Sequence, residues 1–198
     1  ENIIGRSRAF CGVIYPWLRE HFAPRLDDVS PEDFYRMINK AQPSLIRTEA
    51  DELTYCLHIM VRYELERRMF AGELTAHDLP AEWNRLYKAY LGVDVPNDRE
   101  GVLQDSHWAG GSIGYFPSYA IGSAYGAQYL RQMQKDFDVY AAVATGRLTQ
   151  INGWLEDKIW KYGCMKDPTP LFESVCGPFD PTCYTAYLRD KFTEVYGL

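Results

Sequence analysis

Gln104, Asp105, His107 and Trp108 fall within five positions of GVLQDSHW, and nearby glycines let the backbone turn tightly around them. Polar groups at this density are either solvated or held in a network aimed at a ligand. Beside a carboxylate such as Asp105, His107 could donate to an anion or move a proton; a solvated or structural histidine is the plain alternative. Downstream, GYFPSY sets Tyr115 and Tyr119 around a proline. A tyrosine hydroxyl can donate to a developing oxyanion without bringing a full charge into the site. In a chain with 15 tyrosines the same two residues serve equally well as core or interface. Arg47, next to a helix start, could clamp a carboxylate bidentately or pair at the surface with Glu49 or Asp51.

The stretch IRTEADELTYCLHIMVRYELERR, residues 46–68, adds a second set. Asp51, Tyr55, His58 and Arg62 follow one another at steps of four, three and four, which puts them on one side of an α-helix. Leu53, Leu57, Met60, Val61 and Leu65 make a separate apolar stripe of the kind turned into a core. The polar stripe either meets water or lines something. Asp51, Glu52 and His58 invite a metal reading, but Asp51 and His58 lie two turns apart, too far for side chains of one straight helix to share an ion. There is no HExxH, no HxxE and no histidine pair at i, i+4, so the sequence offers no metal ligand set. No serine stands in the strand-to-helix context of a nucleophile elbow, and a phosphate-cradling glycine loop is missing.

The elements that must position these residues read as helices throughout. Ser30 followed by Pro31, Glu32 and Asp33 caps a helix running to about 40, and Pro43 breaks the pattern. Helices are then predicted over 48–70, 80–91, 119–138, 139–145, 148–162, 169–175 and 181–195, with Gly92 and Gly163 as stops. Between 91 and 119 lie 27 residues rich in Gly, Asp and Pro, beyond the usual length of a connection. Long ordered loops tend to carry function. The opening ENIIGRSRAFCGVIYPWLREHF is already in helical register and has no initiator Met, as in a chain cut from something longer. The expected architecture is all-α, one mainly helical unit over 1–198 with no internal domain boundary and no repeat.

Bulk properties narrow the partners. The chain has 198 residues, 46% of them hydrophobic, 24% charged and 15% aromatic, which fits a globular protein with a well-filled interior or an aromatic-lined cleft. A formal charge of -6 without a Lys/Arg run argues against nucleic acid or an anionic membrane as the main partner. Small molecules, peptides and protein surfaces remain. The five cysteines show no CxxC or zinc-ribbon spacing and read as reduced thiols of a cytoplasmic protein, a Cys176–Cys183 bridge being the alternative. No apolar run has the length of a membrane span.

Two long segments in order resemble the thermostable carboxypeptidase Taq family of zinc metallocarboxypeptidases. They are I-R-x-x-A-D-E-x-T-Y-x-x-H-I at 46–59 and G-x-x-Q-D-x-H-W at 101–108. The continuation GYFPSYAIGSAYGAQ and the opening ENIIGRSRAF are similar to the family too. The resemblance implies the C-terminal portion of a deep-cleft helical metallopeptidase related in fold to angiotensin-converting-enzyme-like peptidases. The HExxH motif and the glutamate that completes the zinc site would precede this chain. For the parent enzyme it implies zinc, or another divalent metal, and removal of C-terminal residues from peptides. The present chain would then be inactive alone and bind no metal. Carried over by position, Arg47 would bind the substrate carboxylate, His107 and Tyr119 would contact the scissile carbonyl or its oxyanion, and Tyr115 the carboxylate or backbone, with the roles of the two tyrosines exchangeable. Gln104 would stand in the substrate wall and, with Asp105, orient its loop. Asp51 and Glu52 would brace Arg47 or a zinc ligand, with His58 a hydrogen-bond partner beside them. The implied partners are a peptide with a free terminal carboxylate, the rest of the same enzyme and a second copy in a homodimer, with no nucleic acid and no membrane. The rival reading is a noncatalytic helical peptide-binding or interaction protein derived from that family. A fragment should also expose apolar surface and self-associate.

Overall fold

The computed structural model describes residues 1–198 as helices and connecting turns, with no strand. In chain order the helices are α1 (Asn2–Gly5), α2 (Arg8–His21), α3 (Pro31–Ile38), α4 (Tyr55–Phe70), α5 (Leu79–Leu91), α6 (Pro117–Met133), α7 (Val139–Ala144), α8 (Leu148–Lys158), α9 (Pro168–Cys176) and α10 (Thr182–Tyr196). Short 3-10 turns occupy Arg47–Glu49 and Trp160–Tyr162.

Local chemistry explains most boundaries. Ser30 and Asp33 form a reciprocal capping box at the start of α3, with Pro31 in the first turn. Ser7 accepts a hydrogen bond from the Phe10 amide and so starts a new helix; the opening segment is two helices rather than the continuous one its pattern implied. Asp138 caps α7 in the same way through the Ala141 amide. Gly92 ends α5 at φ +69°, a left-handed conformation that costs glycine little. The helix expected over 148–162 closes earlier, at Lys158, and tightens into the 3-10 turn.

The chain falls into two compact units, one made of Glu1–Asn39 with Ser123–Leu198 and the other of Lys40–Gly122. In the first, α2 packs on α3 and α7. Its interior holds Leu130, Met133, Val139, Val143, Ile151 and Trp154, with Cys11, Tyr35 and Val195 in a second cluster. In the other, α4 packs on α5 around Val61, Leu65, Leu74, Trp83, Leu86, Tyr87, Leu91 and Val102. The expected apolar stripe of α4 is therefore narrower than its sequence implied. Leu57, Val61 and Leu65 pack into the core, whereas Leu53 and Met60 are 40% and 45% exposed. All five cysteines are free thiols.

Candidate functional site

The helix expected over 48–70 starts only at Tyr55, and Asp51 is the reason. Its Oδ1 accepts the Leu53 and Thr54 amides, each at 2.9 Å, and its Oδ2 accepts the Thr54 hydroxyl at 2.8 Å and the Gln42 amide at 2.9 Å. Bound this way, Asp51 closes the turn before α4. The chemically varied stripe instead begins at Tyr55 and continues through His58 and Arg62 to Glu66.

Asp105 binds two members of a buried trio. Arg47 donates through Nε at 2.9 Å and Nη2 at 2.8 Å to Oδ1, and Arg62 donates through Nε at 2.6 Å and Nη2 at 2.5 Å to Oδ2. Burial pushes the Asp105 carboxyl up, but the Arg47 hydrogen bonds and the Arg62 charge outweigh it and hold it below the usual carboxylate range. Burial likewise pulls the Arg47 guanidinium down, and Asp105 and Tyr55 more than compensate. The cations are also covered by rings: Arg62 lies 4.5 Å from the Trp83 ring centroid, and Arg47 lies 5.1 Å from that of Tyr119.

Gln104 ties the same loop down. Its side-chain oxygen accepts from the Arg47 amide and Arg62 Nη2, and its nitrogen donates to the Leu45 and Glu100 carbonyls. Those bonds occupy both donors and both acceptor positions of the amide. Gly101 permits the approach: a Cβ there would lie 2.7 Å from Val95 Cγ1 and 3.1 Å from the Asn97 carbonyl.

His107 and both tyrosines come together. His107 Nε2 stands 3.1 Å from the Tyr119 hydroxyl, and the imidazole packs on Phe116, Tyr115 and Tyr119, with ring centroids 4.4, 5.9 and 5.9 Å away. The other ring nitrogen, Nδ1, is buried without a hydrogen-bond partner. Tyr115 and Tyr119 meet edge to face, and Tyr115 is half exposed. Glu66, the residue on which sequence reasoning was silent, accepts from Trp108 Nε1 at 2.6 Å and from the Gly114 amide at 3.2 Å. Its spacing from Arg62, one further step of four along α4, is the signal that could have found it.

His58 is fully buried, with Nδ1 3.1 Å from the Tyr87 hydroxyl and Nε2 without a partner. Burial, with the Arg62 charge adding to it, lowers its pKa to about 4, so it is neutral near pH 7. Arg62 Nη1 donates to the His58 carbonyl one turn back. Glu52 is buried as well. A cavity of about 710 Å³ belongs to the other unit, where Ser7, Arg8, Tyr35 and Glu194 are among its walls, and contains none of these residues.

No group of three His, Cys, Asp or Glu side chains in the chain could hold a metal ion. The network of 40–122 thus offers donors for an anion or a carbonyl and buried positioning charges, without a ligand set for a metal.

The sequence model of the carboxypeptidase Taq (M32) metallopeptidase family matches residues 1–192. Carboxypeptidase 1 of Bacillus subtilis is 42% identical over 99% of this chain, and thermostable carboxypeptidase 1 of Pyrococcus furiosus is 41% identical over 97% of it. The chain spans 40% and 39% of their lengths. The crystal structure of an M32 carboxypeptidase from Deinococcus radiodurans superposes with a TM-score of 0.96 at 39% identity, covering 100% of this chain and 40% of that one. By sequence and by helical fold, the chain belongs to the carboxypeptidase Taq (M32) family of metallopeptidases.

Proposed function

We propose that these 198 residues are the C-terminal portion of a zinc-dependent metallocarboxypeptidase that removes residues from the free C-terminal end of peptides. On this reading they supply the substrate side of one helical catalytic domain, and the metal ligands come from outside them. The carrying observation is that one buried acid, Asp105, fixes Arg47 and at the same time opens the segment that bears His107. A carboxylate clamp and a pair of carbonyl donors are thereby held as one piece, the positioning that acyl-transfer chemistry requires.

The roles follow from the atoms. A guanidinium has five N–H donors. Arg47 commits one at Nε, one at Nη2 and one at Nη1, the last to the Tyr55 hydroxyl at 3.0 Å, which leaves one on each terminal nitrogen for the peptide carboxylate. His107 and Tyr119 contact the scissile carbonyl or its oxyanion, and Tyr115 the carboxylate or backbone. Asp105 and Gln104 hold these groups in register.

The test uses the complete enzyme, with a peptide acid and its C-terminal amide compared side by side. Cleavage of the acid alone, with KM raised at least tenfold by Arg47→Lys, is the expected result. Equal hydrolysis of acid and amide, indifferent to Arg47→Lys, would sink the reading. The 198-residue chain by itself should neither retain zinc stoichiometrically nor hydrolyse either peptide.

A further inference from the structure

We infer that Glu66 is a positioning residue for the loop that carries His107 and Tyr115, acting as a clamp across both ends of the turn between them. The inference rests on the reading of His107 proposed above.

The turn is closed by its own backbone. The Gly110 amide donates to the Ser106 carbonyl at 2.9 Å, the Gly111 amide to Trp108 at 3.1 Å and the Ser112 amide to His107 at 2.8 Å. Gly111 and Gly114 lie at φ +77° and +75°, so the chain reverses sharply on either side of Ser112. A turn built this way is compact, yet nothing in it fixes where it sits on the helical scaffold. Glu66 does. One oxygen accepts from the Trp108 indole, the residue directly after His107, and the other accepts from the Gly114 amide, the residue directly before Tyr115.

The placement of the carboxylate argues for a purpose beyond packing. Glu66 is 4% exposed, and burying a carboxylate is costly unless its oxygens are satisfied. Its two donors are an indole N–H and a backbone amide, both from the loop and neither strengthening α4. Trp108 is in turn wedged edge to face against Trp83 and Phe116, so the indole is a rigid handle. Four residues earlier on α4, Arg62 grips Asp105 and Gln104. Successive turns of one helix therefore hold the loop backbone on both sides of His107, Arg62 before it and Glu66 after it.

Glu66→Gln is the discriminating substitution. The amide keeps the shape and can still accept from Trp108, but it turns an NH2 toward the Gly114 N–H, donor against donor. In the complete enzyme we expect kcat to fall about 10- to 100-fold with KM nearly unchanged, because the displacement affects groups that act on the carbonyl. In a His107→Ala background the same change should have almost no further effect, the non-additivity of two residues acting through one group. Hydrogen exchange at the Gly114 amide should speed up in Glu66→Gln, a readout independent of catalysis. Trp108→Phe removes the other bond while preserving the ring and should lower kcat in the same direction, which keeps the test open if Glu66→Gln folds poorly. Folded variants with unchanged kcat, or a loss that adds fully to that of His107→Ala, would overturn the inference. If His107→Ala itself leaves kcat intact, the catalytic reading fails instead, and the Gly114 exchange rate still decides whether Glu66 holds the turn.

Discussion

The two compact units treat charge differently: Lys40–Gly122 buries four charged side chains and the other unit one, Lys191. In the unit of Glu1–Asn39 with Ser123–Leu198, Arg8, Glu32 and Glu194 pair at the surface, with side chains 45%, 40% and 51% exposed. In Lys40–Gly122, Arg47, Glu52, Arg62 and Glu66 are all buried, and Asp105 is nearly so. Surface pairs contribute little to stability, and a buried pair is weak grounds for it because desolvation offsets the attraction. The unit of 40–122 therefore carries its buried charges at a thermodynamic disadvantage relative to an apolar core of the same volume. What Arg47, Arg62 and Glu66 supply is placement: the two arginines hold Gln104 and Asp105, and Glu66 holds Trp108 and Gly114.

The largest expected effect that sharpens this contrast comes from removing the shared acid. Asp105→Ala leaves two guanidinium groups buried without their partner and should cost about 3–5 kcal/mol of unfolding free energy. Glu32→Ala, which breaks the exposed group, should cost under about 1 kcal/mol. Chemical denaturation of the two variants measures both, and equal losses would erase the distinction between the units.

Leu65→Ala and Val143→Ala come next, one in each core and both essentially unexposed in the parent. Truncating the leucine should cost about 2–4 kcal/mol and the valine rather less, in proportion to the methylenes lost. A far smaller effect for Leu65 would mean that polar bonds rather than apolar packing hold α4 to α5.

Acid should separate the units further. His58 titrates near 4 in the fold and near 6.5 when exposed, so between those values the unfolded chain binds the extra proton. Its contribution is present in full above about pH 6.5 and is lost as pH falls toward 4, a change on the order of 2 kcal/mol between pH 7 and pH 4.5. Asp105, depressed by Arg47 and Arg62, loses its contribution at lower pH still, as it protonates. His58→Gln should flatten the unfolding profile between pH 4.5 and 6.5, and an unchanged slope would assign the acid sensitivity elsewhere.

The smallest expected effect concerns Asp51. Asp51→Asn keeps the oxygen that the Leu53 and Thr54 amides need and loses the acceptor of the Gln42 amide, an exposed group that water can satisfy, so it should cost only about 0.5–1 kcal/mol. If Asp51 instead braced Arg47, the same change would lower peptide affinity in the complete enzyme, which KM would reveal.

The sequence by itself determined the helical class, most helix positions and the family. Periodicity, caps such as Ser30 with Asp33 and stops such as Gly92 are local signals, written within a turn or two of the bonds they make. It also singled out Arg47, His107, Tyr115 and Tyr119, because guanidinium, imidazole and phenol groups crowded near glycines are chemically conspicuous. Tertiary structure alone decided what each polar group does. Asp51 looked like a member of the α4 stripe, yet its carboxylate finds closer donors in the turn before the helix. Arg62 meets Asp105 across 43 positions of sequence and Glu66 meets Gly114 across 48. Spacing cannot show such pairings, since helical periodicity says only which residues share a face and the folded chain selects what that face meets. The same limit explains Leu53 and Met60, apolar in pattern and exposed in fact: a stripe reveals which positions could be buried, and the fold decides which of them meet a neighbour.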